Sequence, residues 1–492
     1  FNKLTENNSL ISMIIGAEIR KNRSENSSLK AAGFYDDALN FIGHATGYPT
    51  DSKNKPSGNQ DLSTEVGFFA NANYMYNNRY YADFVYRLSG SSKFGSNQRY
   101  GQFWSGGLGW NLHNENFLKF EKLNLLKIRG SVGYTGKVNF EPFQSITMYK
   151  YENTLEYLHG IGAIPQTIGN DDLKWEREFS YNIGADISLF DRRLNATLDF
   201  YLKRTKDLVL DASIAPSTGV VSGKQNIGEM ENKGFEFSVD GFIIQRNDVW
   251  WQLGMNGSTN KNRILKISNA LKRQNELNND VAPTRQTPAP LAQYEEGEST
   301  SALKVVRSAG IDPATGREVF IKLDGTRTFT YSADDKVVVG DTDPRFYGNV
   351  YTNVFYKGFS LYIMGSFKCG GYLYNVTRAS RVEGTTGRTN VDRRAFDSRW
   401  KEVGDIALYR NITEHSVPQQ TDRFVEKENV LTITSVNLGY EFPQRICQKM
   451  MLRNLRLGVN LSDILRFSNV KVERGLDYLY GNGFEFTLST TF

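Results

Sequence analysis

No apolar run in the 492-residue sequence approaches the roughly 20 residues a membrane-crossing helix needs, and mean hydropathy is −0.48. A helical membrane protein is thereby excluded. Cysteine is scarce: Cys369 and Cys447 stand far apart, form no CxxC or Cys/His cluster, and imply neither a disulfide framework nor a zinc site. His44, His113, His159 and His415 are equally scattered and none lies in an HExxH pattern. No GxSxG elbow occurs, and Asp341-Thr342-Asp343 lacks the rest of a calcium loop. The sequence therefore predicts no catalytic residue, no metal ligand and no cofactor. Charge of one sign is also missing: 59 Lys and Arg oppose 54 Asp and Glu, giving +5, too small a bias for a nucleic-acid footprint. Phe1-Asn2-Lys3-Leu4 has no basic segment leading into an apolar one, so any export signal is expected upstream of this sequence or already removed.

Aromatic residues are plentiful, at 13%, with 44 glycines against only 12 prolines, a balance that favours many strands joined by turns. Alternation identifies the strands. In 193–204, Leu194, Ala196, Leu198, Phe200 and Leu202 share one face, while Asn195, Thr197, Asp199, Tyr201 and Lys203 share the other. The pattern recurs at 179–189, 235–243, 359–367, 455–461 and 484–492, with further candidates starting near 10, 64, 80, 102, 123, 248, 346 and 430. This predicts about fourteen strands of roughly 10 to 14 residues, long for a soluble sheet but suited to a tilted membrane crossing. At Ser435 the apolar parity slips by one, which predicts a β-bulge. Connections sort by length. Short ones at Asn77-Asn78-Arg79, Asp191-Arg192, Gln245-Arg246-Asn247 and Tyr356-Lys357-Gly358, with modest ones at 113–122 and 442–452, interleave with long ones at 21–62, 91–99, 136–175, 206–229, 261–345, 369–429 and 464–482. A soluble sandwich has no need of such sorting, and a propeller would repeat at a fixed period that is not seen. The fold class expected is an all-β transmembrane antiparallel barrel with short periplasmic turns and long extracellular loops, and outer-membrane lipid against its apolar face.

The last segment alternates Phe484, Phe486, Leu488, Thr490 and Phe492 with polar residues, and ends on the aromatic Phe492. It resembles the assembly signal of bacterial outer-membrane barrels. The run Arg87-Leu88-Ser89-Gly90-Ser91-Ser92-Lys93-Phe94-Gly95, followed by Arg99-Tyr100-Gly101 and Gly109-Trp110, resembles a recurrent signature of the SusC/RagA family of TonB-dependent outer-membrane transporters. Leu173-Lys174-Trp175-Glu176, Thr205-Lys206-Asp207-Leu208, Asn232-Lys233-Gly234-Phe235-Glu236 and Ser308-Ala309-Gly310-Ile311-Asp312-Pro313-Ala314-Thr315-Gly316 follow in the same order. The sequence departs from the family at Trp104, where the pattern has Pro, and at Leu88, where it has Asp. The resemblance implies a barrel of about 22 strands filled by an N-terminal plug. Residues 1–492 are then expected to be the C-terminal part, with the plug and first strands elsewhere. Trp175 and Trp110, near strand ends, are read as interfacial anchors in preference to ligand-stacking rings.

What the resemblance implies for function is energised import. A SusD-like surface lipoprotein captures an oligosaccharide or oligopeptide, and the TonB complex acts on the plug. A passive porin or an outer-membrane enzyme is the competing reading. One loop stands out as a candidate contact for ligand or partner: Tyr372, Tyr374, Arg378, Arg381, Arg388, Arg393, Arg394, Arg399 and Trp400 face only three acids between 372 and 400. A solvated loop making internal ion pairs or touching lipopolysaccharide phosphates is the plainer alternative.

Overall fold

The computed structural model describes residues 2–4, 8–36, 38, 40–48, 56–157, 160–214, 216–220, 222–281, 288–385, 391–414, 416–471 and 481–491. Fifteen strands form one antiparallel sheet in which each pairs with the next in sequence. They are β1 (Asn2–Leu4), β2 (Ser9–Ser28), β3 (Ser57–Tyr76), β4 (Tyr80–Ser91), β5 (Tyr100–Asn111), β6 (Leu123–Lys137), β7 (Glu176–Leu189), β8 (Leu194–Lys206), β9 (Gly228–Arg246), β10 (Val249–Ile267), β11 (Phe346–Tyr356), β12 (Phe359–Tyr374), β13 (Val425–Glu441), β14 (Asn454–Ser468) and β15 (Gly483–Thr491). None of the helices among the described residues is long and apolar enough to cross a membrane.

Register carries the apolar parity across the sheet. Leu198 pairs with Ala185 and Phe237, Phe200 with Ile183 and Phe235, and Val436 with Ile363 and Leu461. One face is thus continuously apolar, and it is open. Ile183 is 65% and Phe200 60% exposed, and Ile15, Leu108, Phe359 and Phe486 are exposed as well. A water-soluble surface does not tolerate an apolar area of this extent, whereas hydrocarbon does.

Tight turns link strands at one end of the sheet. Asn77 and Asn78 hold positive φ in the three-residue turn between Tyr76 and Tyr80, and Lys357 and Gly358 form the left-handed pair that matches the twist of a two-residue hairpin. At the other end the connections are long. The expected alternation therefore holds, but its boundaries move: β2 and β3 each run 20 residues, so the predicted loop 21–62 contracts to 29–56. The reason lies beyond Ile19, where alternation ends but backbone pairing continues through polar residues, from Arg20 opposite Glu65 to Ser28 opposite Ser57. The parity slip near Ser435 is a register shift between Ile433 and Ser435, which leaves Thr434 as the extra residue.

The long loops fold on themselves. Residues 148–167 and 209–226 each carry a two-stranded sheet, and Ala302–Ile311, Glu318–Ile321, Arg327–Thr328 and Lys336–Asp341 form a four-stranded one. Most of these segments are too brief for alternation to be read in sequence, and the ten-residue Ala302–Ile311 buries four consecutive residues, Leu303 to Val306, so that its faces do not alternate.

Phe484, Phe486 and Leu488 on β15 stand opposite Leu461, Val459 and Leu457, which puts all three on the apolar face. Phe492, His159, Arg388 and His415 lie outside the described residues.

Candidate functional site

The face opposite the apolar one carries a ladder of charge. Arg129 of β6 donates to Asp186 of β7 at 3.3 Å and to Asp199 of β8 at 2.6 Å, and Arg87 of β4 reaches Glu18 of β2. Asn195 donates to Asp240 and Tyr201 to Asn260 across the neighbouring strands. Each of these guanidinium groups meets a carboxylate of a nearby strand, as charged side chains drawn partly out of water require. The geometry is that of a wetted inner wall.

At the long-loop end, motifs separated by more than a hundred residues meet in one knot. Phe94 is buried against Phe140 and Trp175, with ring centroids 5.3 Å and 4.3 Å apart, and Leu173 and Val209 complete its pocket. A side chain on Gly95 would place its Cβ 2.0 Å from the Asp171 carbonyl, so only glycine allows this approach. Lys174 and Arg177 both pair with Asp207, and Glu176 accepts from the Val209 amide at 2.9 Å. Trp175 is thus corrected from an interfacial anchor to a packing residue of this rim, its indole donating to the Arg99 carbonyl at 3.2 Å. Trp110 keeps its place in an exposed aromatic group with Tyr80 and Phe117 at the short-turn end, with its indole on Glu115.

The loops 268–345 and 375–424 are joined by a buried ionic hub that sequence reasoning missed. Arg423 reaches Glu318 at 2.8 Å and Glu383 at 2.7 Å, Arg410 reaches Glu383 at 2.7 Å, and Thr421 donates to Glu318 at 2.8 Å. Arg399 donates to the carbonyls of Ala395, Arg410, Val382 and Glu383. Burial pulls the Arg423 pKa down, but the two carboxylates more than reverse this and leave it raised. Leu303, Val305, Tyr374, Ala379 and Phe424 form the apolar core beside the hub.

The predicted contact residues divide across this assembly. Tyr374 is buried, its ring 5.9 Å from that of Phe424. Arg378 pairs with Glu426 at 2.7 Å and lies over the Phe424 ring. Trp400 is buried over the turn at Gly316 and donates to the Pro313 carbonyl at 2.9 Å, which gives the Asp312–Gly316 motif its partner. Arg394 grips Asp392 with two 2.9 Å bonds, and those bonds hold that carboxyl well below the usual range. Arg393 is exposed and pairs with Asp397, Arg381 is exposed on the Arg378–Glu383 turn, and Tyr372 packs against Gly340. Among the described residues no group of three or more His, Cys, Asp or Glu could hold a metal ion.

Comparison with known proteins bears on this architecture. Residues 15–460 match the family model described as TonB dependent receptor-like, beta-barrel. The chain is 28% identical over 491 residues to TonB-dependent receptor P3 of Formosa agariphila, covering 95% of this chain and 48% of that protein. It is 35% identical over 214 residues to TonB-dependent receptor SusC of Bacteroides thetaiotaomicron, covering 42% of this chain and 21% of that protein. The solved RagAB peptide transporter matches with a TM-score of 0.81 over 96% of this chain and 51% of that one at 23% identity, a likeness of fold. The chain spans about half the length of the curated relatives that it matches from end to end.

Proposed function

The chain belongs to the TonB dependent receptor-like β-barrel family and is of the SusC/RagA type, and from that premise we propose that it is the C-terminal wall and outer-loop portion of an outer-membrane importer of oligosaccharides or oligopeptides. The observation that carries this reading is the two-faced sheet: an open apolar side for lipid, a charged inner side for solute. Among the described residues β1 and β15 do not pair with each other, and relatives are about twice as long. Both facts support a barrel completed by further strands and filled by a plug through which the TonB complex acts. Phe484 and Phe486, with Phe492, would serve as the assembly signal.

The test is uptake of labelled oligosaccharides and oligopeptides by cells making the full-length protein. Import of one class is expected to stop when TonB is deleted or the proton gradient is collapsed. Uptake that persists would move the protein to the passive-porin reading, and cleavage of the oligomer by purified protein would move it to the enzyme reading.

A SusD-like lipoprotein is the partner proposed for the outer loops. Phe396, Val403, Leu408 and Ile412 are exposed, and Ile406 is 97% exposed, on a loop that the hub makes rigid. Rigid apolar side chains facing water are the raw material of an interface core. Replacing Ile406 and Leu408 by Asp is expected to weaken co-purification of the lipoprotein by at least about 30-fold, the equivalent of roughly 2 kcal/mol at a hot spot, with barrel levels unchanged. Unaltered co-purification would remove this patch from the docking surface. Shortening 376–396 is a poorer probe, since it deletes Glu383 from the hub and Ala379 and Ala395 from the core.

A further inference from the structure

A cavity of about 700 Å³ lies where the outer parts of β9 and β10 meet the loop sheet, and Lys233, Lys261, Arg263 and Arg345 line it with Tyr372. Its position on the barrel follows from register. Lys233 is two residues beyond Phe235 on β9 and pairs with Lys261, which is two beyond Thr259 on β10. Residues two apart on a strand share a face, so Lys233 and Lys261 continue the apolar, outward side into the region of the long loops. Directly below them runs an aromatic stripe, Phe200, Phe235, Phe237, Phe346 and Phe367, with successive ring centroids 4.6 to 6.0 Å apart. Lys233, Lys261 and Arg263 therefore cap the apolar band on the lipid side.

Charge makes the cavity a receptor for an anion. All four cations are exposed, and among the described residues none has a carboxylate oxygen within 4.0 Å. Glu231, Glu298 and Asp341 also line the space; Glu298 is paired with Lys304 at 2.7 Å, and against Glu231 and Asp341 the four cations remain in excess. Elsewhere on the same rim cations are matched, as Arg204 is by Glu229. Unmatched cations just above an aromatic band stand at the depth of lipid headgroups, where phosphate is the abundant anion. Two guanidinium groups and two ammonium groups suit a phosphate, which takes several charge-assisted hydrogen bonds at once.

We propose that this cavity holds the phosphate of a lipid headgroup from the outer leaflet, fixing the loop sheet and the barrel wall to the membrane surface. The inference rests on the reading that the apolar face meets lipid. Full-length receptor purified in mild detergent would be mixed with bisphosphorylated lipid A, with its dephosphorylated counterpart, or with inorganic phosphate, and bound species read by native mass spectrometry. The phosphorylated lipid is expected to bind, the dephosphorylated one at least about tenfold more weakly, and millimolar phosphate is expected not to displace it. The double variant Lys233→Gln, Lys261→Gln and the single variant Arg345→Gln should each weaken binding by roughly fivefold per charge removed. Both should keep the heat-modifiable gel shift of a folded barrel, and Arg327→Gln, exposed on the outer-loop sheet away from the cavity, should bind as the parent does. Equal binding by the double variant or by the dephosphorylated lipid would overturn the proposal, and displacement by free phosphate would reassign the cavity to a dissolved anion. Failure of the underlying reading would show earlier, as a receptor missing from the membrane fraction.

Discussion

Leu198→Arg is expected to destabilise the membrane-inserted barrel by roughly 2 to 4 kcal/mol, whereas Thr197→Arg costs less than about 1 kcal/mol. The two positions are adjacent and have opposite surroundings. Leu198 lies at the centre of the apolar run Leu194–Leu202 on β8, between Ala185 and Phe237, so an arginine there must be drawn out of water. Thr197 faces the charged side beside Asp186, which would pair with the new guanidinium. Ile363→Arg, between Thr352 and Val436, should behave like Leu198→Arg. Urea titration of protein folded into lipid vesicles reads the difference. Equal tolerance at Leu198 and Thr197 would sink the assignment of the apolar face to lipid.

The second large effect is expected at the hub. Glu383 has no exposed side-chain surface and takes both Arg410 and Arg423, so Glu383→Ala leaves two buried cations short of a carboxylate. Breaking a buried pair from one side costs roughly 3 to 5 kcal/mol, which raises the population of the opened loops by about two to almost four orders of magnitude. The strands owe nothing to this residue. Limited proteolysis should therefore cut the variant within 268–424 far faster than the parent, while the heat-modifiable barrel persists. Arg423→Met should act alike, because Glu318 loses its guanidinium and Glu383 is left with Arg410 alone. Unchanged protease resistance in both variants would mean that the loops are held by their apolar core alone.

Strand positions and faces were legible because hydrocarbon on one side and water on the other impose strict alternation, as at Leu194–Leu202. The bulge at Thr434 was legible for the same reason, as a break in parity. Where that selection ends, the reading fails. The outer half of β2, from Arg20 to Ser28, is polar on both faces and looks like a loop although its backbone is fully paired. The excess of arginine and aromatic residues at 372–400 did mark a special loop. Composition could not assign Arg378 and Arg394 to ion pairs, or Trp400 to the Gly316 turn, because their partners are set by folding and not by spacing. The hub is the extreme case: Glu318 and Arg423 are 105 residues apart, and neither neighbourhood carries a sign of the other.

The paired wall above the apolar band has an electrostatic consequence. From Arg20–Glu65 to Ser28–Ser57 nine rungs continue past Ile19. At about 3.4 Å per residue and a tilt near 45°, that lifts the rim roughly 20 Å above the hydrocarbon. The Debye length at physiological ionic strength is about 8 Å, so the negative potential of a lipid surface falls to around a tenth at that height. An acidic oligomer arriving at the mouth is therefore scarcely repelled by the membrane, and the charges it first senses are those of the protein.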